Sequence, residues 1–249
     1  MTALAHPAPM ARPSLPRLTA VELRKMTDTR AGFWLLCLVV LGAVAAVVIT
    51  LAAGHDSEHT LRRFFILSGV TASILLPVVG ILAVTGEWTQ RTALTTFTLV
   101  PERGRVAAAK LLAGCGLALA AVVACLLVAV VGNAVAGGQW NLDAARLAGG
   151  TAYMLISMLG GLALGLLLMS SAPAIVTYFV VPTAVGILIQ AVPSLHGPSQ
   201  WFDLGQATAP LGDGSLAGGD WPRLAVAVAI WIGLPLILGL VRLRRRELS

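Results

Sequence analysis

Long apolar stretches alternate with short polar segments along the whole chain. Six of these stretches reach about 20 residues, the length that an α-helix needs to cross a hydrocarbon layer roughly 30 Å thick. Because lipid offers the backbone no hydrogen-bond partners, each stretch is predicted to be a helix. The predicted spans are 31–53, 64–85, 107–135, 147–169, 174–192 and 224–241. The pattern therefore predicts an all-α integral membrane protein with six transmembrane helices.

The chain ahead of the first span has a pattern of its own. Residues 1–17 hold four prolines and little to bury, so we expect a disordered leader before a single transmembrane domain at 18–249. Thr19 and Glu22 fit a capping box, which predicts a short helix from residue 18 to about residue 30. This helix is either an interfacial elbow leading into the membrane or a continuation of the first span.

Two loops on the outer side differ in length and composition. The longer loop, 193–222, contains Trp201, Trp221 and many Gly and Pro residues, and it is too polar to cross the membrane. We expect one or two short helices there, or a small cap at the outer surface. The shorter loop carries His55 and His59. Two histidines without a third ligand do not make a metal site, so they are predicted to be solvated.

Composition and charge place the chain in a membrane and orient it. The chain is 57% hydrophobic and 11% charged, with a mean hydropathy of +0.88, which 249 residues cannot bury in a soluble core. With both termini in the cytoplasm, 13 of the 17 Lys and Arg residues lie inside and 4 outside, as the positive-inside rule requires. The basic pI therefore reflects topology and attraction to anionic membrane lipid, and no nucleic-acid partner is expected.

The predicted spans hold almost no reactive chemistry. Counting the third span from Leu111, they contain no Asp, Glu, Lys, Arg or His, whereas ion-driven carriers place ionisable groups at this depth. No nucleophile has a base beside it, and neither Lys25 nor Lys110 stands in a Gly-Lys-Ser/Thr motif for ATP. We expect no enzyme activity, cofactor or metal in this chain. Energy for uphill transport would have to come from another polypeptide.

A few residues within the spans suggest packing or a pathway. Ser157, Tyr178 and Thr183 are polar groups that could line a mostly apolar pathway suited to amphipathic or hydrophobic cargo. Gly161 and Gly165 form a GxxxG motif, which permits close approach of two helices. Packing inside one subunit is favoured over a subunit interface for this motif.

The segment 86–110 is the one long hydrophilic stretch inside the chain with an excess of basic residues. Residues 87–98 have apolar positions at helical spacing, and Pro101 then stops the helix. Helix resumes with Lys110 near its start, placed to snorkel back to the interface. The alternative is a solvated inner loop that merely obeys the charge rule.

The charged and turn residues of this segment resemble those of a known family, the membrane subunit of type-two ATP-binding-cassette exporters. The residues that carry the resemblance are Glu87, Thr92, Pro101, Arg103 and Lys110, with Glu22 and Lys25 ahead of the first span. The resemblance implies a coupling helix at 89–98 that sits in a cleft of an ATPase subunit, an elbow helix before Arg30, and a small extracytoplasmic cap at 193–222. Arg91 stands where many members have glycine.

The resemblance also implies residue roles and partners. The ATPase-coupling residues would be Glu87, Arg91, Thr92, Thr95, Phe97, Pro101, Arg103 and Arg105, and the elbow residues Glu22 and Lys25. The family implies two permease subunits, alike or different, and two ATPases that bind ATP and Mg, in a plasma-membrane exporter for efflux. An ATP-independent channel or facilitator is the alternative function. No residue identifies the cargo.

Overall fold

The computed structural model describes residues 13–53, 59–89 and 103–245, and the regular elements of these residues are helical. The helices that cross are α2 (Arg30–Ala53), α3 (Leu61–Thr89), α4 (Arg103–Ala136), α5 (Ala144–Leu168), α6 (Ser171–Ala191) and the pair α9 (Asp220–Val228) and α10 (Leu234–Arg245). Each of these six spans is long and apolar enough to cross a membrane. The predicted all-α integral membrane fold with six crossings is confirmed.

A separate helix, α1 (Leu15–Asp28), precedes the first span. It begins before the predicted residue 18, because Pro16 in its first turn has a backbone already suited to helix. The predicted capping box is therefore wrong: the hydroxyl of Thr19 donates to the carbonyl of Leu15, 3.0 Å away. The side chain of Glu22 instead points to two lysines.

A break at Thr29 separates α1 from α2. Thr29 is extended, with φ −71° and ψ 142°, and its hydroxyl accepts a hydrogen bond from the backbone N–H of Gly32 at 3.1 Å. Thr29 thus caps the first span and turns the chain at the same point. Of the two interpretations of this segment, a continuation of the first span is excluded, and α1 is a helix in its own right.

The second span, α3, packs against α2, α4 and α5 and forms the centre of the bundle. Its closest approach is to α5. A Cβ built on Gly161 would lie 2.6 Å from the Cα of Pro77, and one on Gly165 would lie 3.2 Å from the Cα of Ile81. At Gly161 the approach leaves no room for a side chain, and at Gly165 a methyl group would require the neighbouring atoms to move by a few tenths of an ångström. The GxxxG motif therefore packs inside one subunit, as expected.

The last two spans are less buried than α3, α4 and α5. In α6 only Ala174 and Ile189 are buried, and α6 follows α5 directly through Met169, which has a left-handed φ of 53°, and Ser170. A π-helical turn, Ala229–Gly233, joins α9 to α10 ahead of Pro235. The widened turn accommodates the proline, which has no N–H to donate.

Two short helices, α7 (His196–Phe202) and α8 (Leu204–Asp213), follow a 3₁₀ turn at Pro193–Leu195 in the long loop. The carboxylate of Asp203 caps α8 by accepting from the N–H groups of Gly205 and Gln206. Trp231 donates its indole N–H to the carbonyl of Phe202 at 2.7 Å, which ties α7 to the last span. The short helices agree with expectation, and their role as an extracytoplasmic cap stays a prediction.

His59 is buried, with 8% of its surface exposed, so the expected solvated side chain is wrong. Its ring stacks on Phe64, with 6.0 Å between the ring centroids, and its Nε2 lies 3.4 Å from the carbonyl oxygen of Thr50. Backbone bonds to Gln139 hold this loop against the next one, which closes water off from the ring. His55 lies outside the described residues, and the described parts contain no cluster of three or more metal-binding side chains.

Candidate functional site

Four charged side chains meet at the end of the bundle from which the segment 90–102 leaves, and we call them the ion cluster. Glu22 and Lys25 come from α1, Glu87 from the last turn of α3, and Lys110 from the beginning of α4. We call this end of the bundle the inner end, because the charge pattern predicts that it faces the cytoplasm.

Lys110 is the centre of the ion cluster. Its Nζ lies 2.5 Å from Oε2 of Glu22 and 3.1 Å from Oε1 of Glu87. The same nitrogen also donates to the backbone carbonyl of Ala83 at 3.2 Å. An ammonium group has three donors, and all three have acceptors here. Lys110 therefore joins α4 to both α1 and α3.

Lys25 closes the ion cluster on its more exposed side. Its Nζ lies 2.8 Å from Oε1 of Glu22 and 2.8 Å from Oε1 of Glu87. Both carboxylates thus bridge both ammonium groups. The cluster contains two positive and two negative charges, so its net charge is zero.

The four side chains of the cluster differ in burial, and burial determines how strongly each charge depends on its partners. The side chains of Lys110, Glu22 and Glu87 are 5%, 6% and 11% exposed, whereas that of Lys25 is 42% exposed. Removing a charge from water costs several kcal/mol unless an opposite charge is held close to it. Lys110 and Glu22 therefore depend on each other, while water screens part of the attraction of Lys25.

The ion pairs change the protonation equilibrium of Lys25, which lies outside the spans. Burial alone would lower its pKa, but its hydrogen bonds and its attraction to Glu22 and Glu87 outweigh that cost, so the pKa of Lys25 is raised above 10.5. Lys25 is therefore charged at every physiological pH.

The local sequence explains why the four side chains can meet. The helix of α3 continues to Thr89, beyond the predicted end at residue 85, and this extra turn carries Glu87 to α1. On the other side, α4 begins at Arg103 rather than at residue 107. Lys110 then lies within the helix and under α1. The expected snorkelling of Lys110 is wrong, because its side chain is buried against α1 and α3.

A second contact holds the beginning of α1. The guanidinium of Arg105 donates to the backbone carbonyl of Pro13 at 2.9 Å. Since Lys110 holds Glu22 within α1, the chain just before α1 and the middle of α1 are both attached to the first turns of α4. Arg105 was predicted to contact an ATPase; here it anchors α1, and the predicted contact stays a prediction.

Most of the other predicted coupling residues fall outside the described part of the chain. The residues concerned are Arg91, Thr92, Thr95, Phe97 and Pro101, together with the coupling helix beyond Thr89. Arg103 begins α4, but its side chain is also outside the described part. The predicted elbow residues Glu22 and Lys25 and the predicted coupling residue Glu87 are described, and the structure brings them together.

The three predicted pathway residues do not form one surface. The hydroxyl of Tyr178 lies 3.5 Å from the backbone carbonyl of Ser157, so these two residues are neighbours. Thr183 is exposed on α6. The Ser157 and Thr183 hydroxyls donate to carbonyls of their own helices at 2.9 and 2.7 Å. Lining of a pathway by these residues stays a prediction.

The pairing of Glu22 with Lys110 is the feature that the sequence did not predict. The sequence predicts an elbow helix at Glu22 and snorkelling for Lys110, and it does not place the two side chains together. The sequence does contain one signal for this pairing. A single charge at the edge of an apolar run can be buried only when an opposite charge is held close to it.

Comparison of this chain with models of known protein families and with curated proteins finds no match. Its function is therefore inferred from the position and chemistry of its own residues. Six apolar spans are typical of a membrane protein of the transport type.

Proposed function

We propose that this chain is the membrane-spanning permease subunit of an ATP-binding-cassette exporter, driven by a separate ATPase subunit. The observation that supports the proposal is the ion cluster. It joins α1 to the two helices, α3 and α4, that flank the segment 90–102. A partner that moves this segment would move three helices together.

The ion cluster would allow the inner end of the bundle to transmit a displacement of the segment 90–102. Glu87 lies three residues before the segment and contacts Lys25 of α1, and Lys110 lies eight residues after the segment and contacts Glu22 of α1. Packed helices move as rigid bodies. In the proposed mechanism, closure of two ATPases around ATP and Mg displaces the segment, and α3 carries the motion to α2 and α5, against which it packs.

The nature of the spans supports a cargo with apolar surface. The charged residues Glu87 and Lys110, at the ends of two described spans, are paired with each other and with α1. Carriers of small ions usually have ionisable groups at mid-membrane depth, whereas the charged residues that the structure describes in the spans lie near the span ends. We therefore propose an amphipathic or hydrophobic substrate, carried by two permease subunits in the plasma membrane.

The first experiment asks whether an ATPase belongs to this protein. The tagged full chain is purified from membranes of its native host, and accompanying proteins are identified by mass spectrometry. We expect a subunit with a GxxxxGK[ST] motif, and ATP hydrolysis by the complex that is lost when the lysine of that motif is substituted. Solute conduction by the purified chain alone, without ATP, would instead support a channel or facilitator.

The second experiment asks where the ATPase binds. Charge reversal at Arg91 and Arg103, as Arg91→Glu/Arg103→Glu, should abolish copurification of the ATPase. The matched control is Arg242→Glu/Arg245→Glu, which reverses two charges at the inner end on α10. Copurification and transport that survive the first pair of substitutions would contradict the proposed coupling segment.

A further inference from the structure

An open groove of about 610 Å³ runs along the exposed side of α1, and neither the ion cluster nor the proposed transport function explains it. Its lining includes Arg17, Ala20, Val21, Arg24, Lys25, Asp28 and Thr29. Glu22 and Met26, on the other side of α1, are buried against the bundle. The groove is therefore a surface that α1 presents outward while its other side holds the helix in place.

Positive charge dominates the groove. Arg17 and Arg24 are separated by two helical turns, which is about 10 Å along one side of the helix. Among the described residues, neither guanidinium has an ion pair or a hydrogen-bond partner. Lys25 adds a third charge, although Glu22 and Glu87 hold it, and Asp28 is the one carboxylate of the lining. The two arginines are thus available to an external anion.

The floor between the two arginines is apolar. Ala20 and Val21 line the groove, and Val21 is 48% exposed. An exposed apolar floor between two guanidinium groups suits a ligand that has both an anionic group and a hydrocarbon part. A free inorganic phosphate would leave this floor in contact with water.

Exposed aromatic side chains next to the Thr29 end of the groove indicate that this end is close to the membrane surface. Phe33 and Trp34, in the first turns of α2, are 54% and 64% exposed, and exposed aromatic side chains at a span end mark the membrane–water interface. Trp34 follows Thr29, the last residue of the groove, by about 7.5 Å of helix. This distance is similar to the thickness of the headgroup layer on each side of a bilayer. The Thr29 end of the groove is therefore within reach of lipid headgroups.

We propose that this groove binds the headgroup of an anionic phospholipid from the inner leaflet. Arg17 and Arg24 would hold the phosphate, and Val21 would contact the glycerol and the upper acyl chain. Asp28 and Thr29 provide acceptors for hydroxyl groups of the headgroup. Because α1 is fastened to α3 and α4 by the ion cluster, a bound lipid would hold the inner end of the bundle against the membrane surface.

The test measures binding of acyl-labelled phosphatidylglycerol to the purified full chain in detergent. One Lys or Arg near an anionic lipid contributes roughly a fivefold gain in affinity, so Arg17→Gln/Arg24→Gln should weaken binding about 25-fold. The matched control is Arg30→Gln/Arg245→Gln, which removes two exposed inner charges that do not line the groove. The control should change binding less than about twofold.

Three outcomes would overturn the proposal. Equal losses in both double variants would show general attraction to the charged surface, and glycerol phosphate that competes as well as the lipid would show a soluble ligand. Loss of a copurifying ATPase with unchanged lipid binding would assign the groove to a protein partner. Size-exclusion profile and melting temperature check folding. Val21→Glu, which leaves both arginines in place, is the second variant and should weaken lipid binding by a similar factor.

Discussion

Lys110 is the residue on which the ion cluster depends most, because it is the buried cation that both carboxylates share. Lys110→Met would leave Glu22 and Glu87 buried with only the half-exposed Lys25 to balance them. Loss of one partner of a buried ion pair costs about 3–5 kcal/mol of the free energy of unfolding. Thermal or denaturant unfolding of the purified protein in detergent measures this loss.

Two companion variants make the Lys110 prediction specific. Lys25→Met removes a cation that water already screens, so its effect should be clearly smaller. Glu22→Gln/Lys110→Met removes one charge of each sign and should recover part of the stability lost in the single variant. Equal effects of Lys25→Met and Lys110→Met would contradict the difference in burial on which this prediction rests.

The raised pKa of Lys25 leads to a separate prediction about the stability of the protein at alkaline pH. Its pKa is raised above 10.5 in the folded protein, so its contribution to stability is complete below pH 10.5 and is lost as the pH rises through the folded value. The melting temperatures of the wild type and of Lys25→Met should therefore differ by a constant amount from pH 6 to pH 10. Above that range the two curves should converge. A difference that already disappears near neutral pH would refute the assigned charge pair.

At the scale of single elements, the contact between α3 and α5 depends on a glycine. Gly161→Ala would place a methyl group against the backbone of Pro77, and overpacking of this kind costs about 1–3 kcal/mol. The matched control is Gly116→Ala in α4, whose new methyl group would meet nothing within 4 Å. The control should be neutral or stabilising by up to about 1 kcal/mol.

Unfolding of the two glycine variants in the same detergent provides the comparison. The same melting temperature for both variants would show that α3 and α5 can separate without cost. A loss of self-association in Gly161→Ala with unchanged melting temperature would instead place this glycine at a subunit interface.

The ends of elements were harder to predict than the elements themselves. The apolar runs located all six spans, because transfer of a long apolar segment into lipid is a property of that segment alone. The ends of α3 and α4 extend past the predicted limits to Thr89 and Arg103. Helix α1 packs beside both of these ends, and no local pattern reports a neighbour distant in the sequence.

At the scale of the whole molecule, the orientation in the membrane is the prediction with the widest consequences. Thr98→Cys, in the segment between α3 and α4, should react with a membrane-impermeant thiol reagent only after the cells are opened. Gly218→Cys, in an exposed turn between α8 and α9, should react in intact cells. The background replaces Cys37 and Cys115 but keeps Cys125, which is buried and should stay unlabelled.

The labelling result tests whether an ATPase in the cytoplasm could reach the segment 90–102. The reverse pattern would place the ion cluster and the segment 90–102 on the outer side, where no ATPase could reach them. Labelling of both positions from the same side would contradict the three crossings, α4, α5 and α6, that separate them. The expected pattern, in contrast, follows from the excess of Lys and Arg in the inner segments.

The sequence by itself determined the class of the protein, its six spans and its orientation prediction, because hydropathy and charge act locally on each segment. Only the tertiary structure decided that Glu22 pairs with Lys110, that His59 is buried, and that Gly161 faces Pro77. Each of these depends on which helices become neighbours. Packing between distant segments sets that choice. The local sequence around each residue is the same whether or not the residues come into contact.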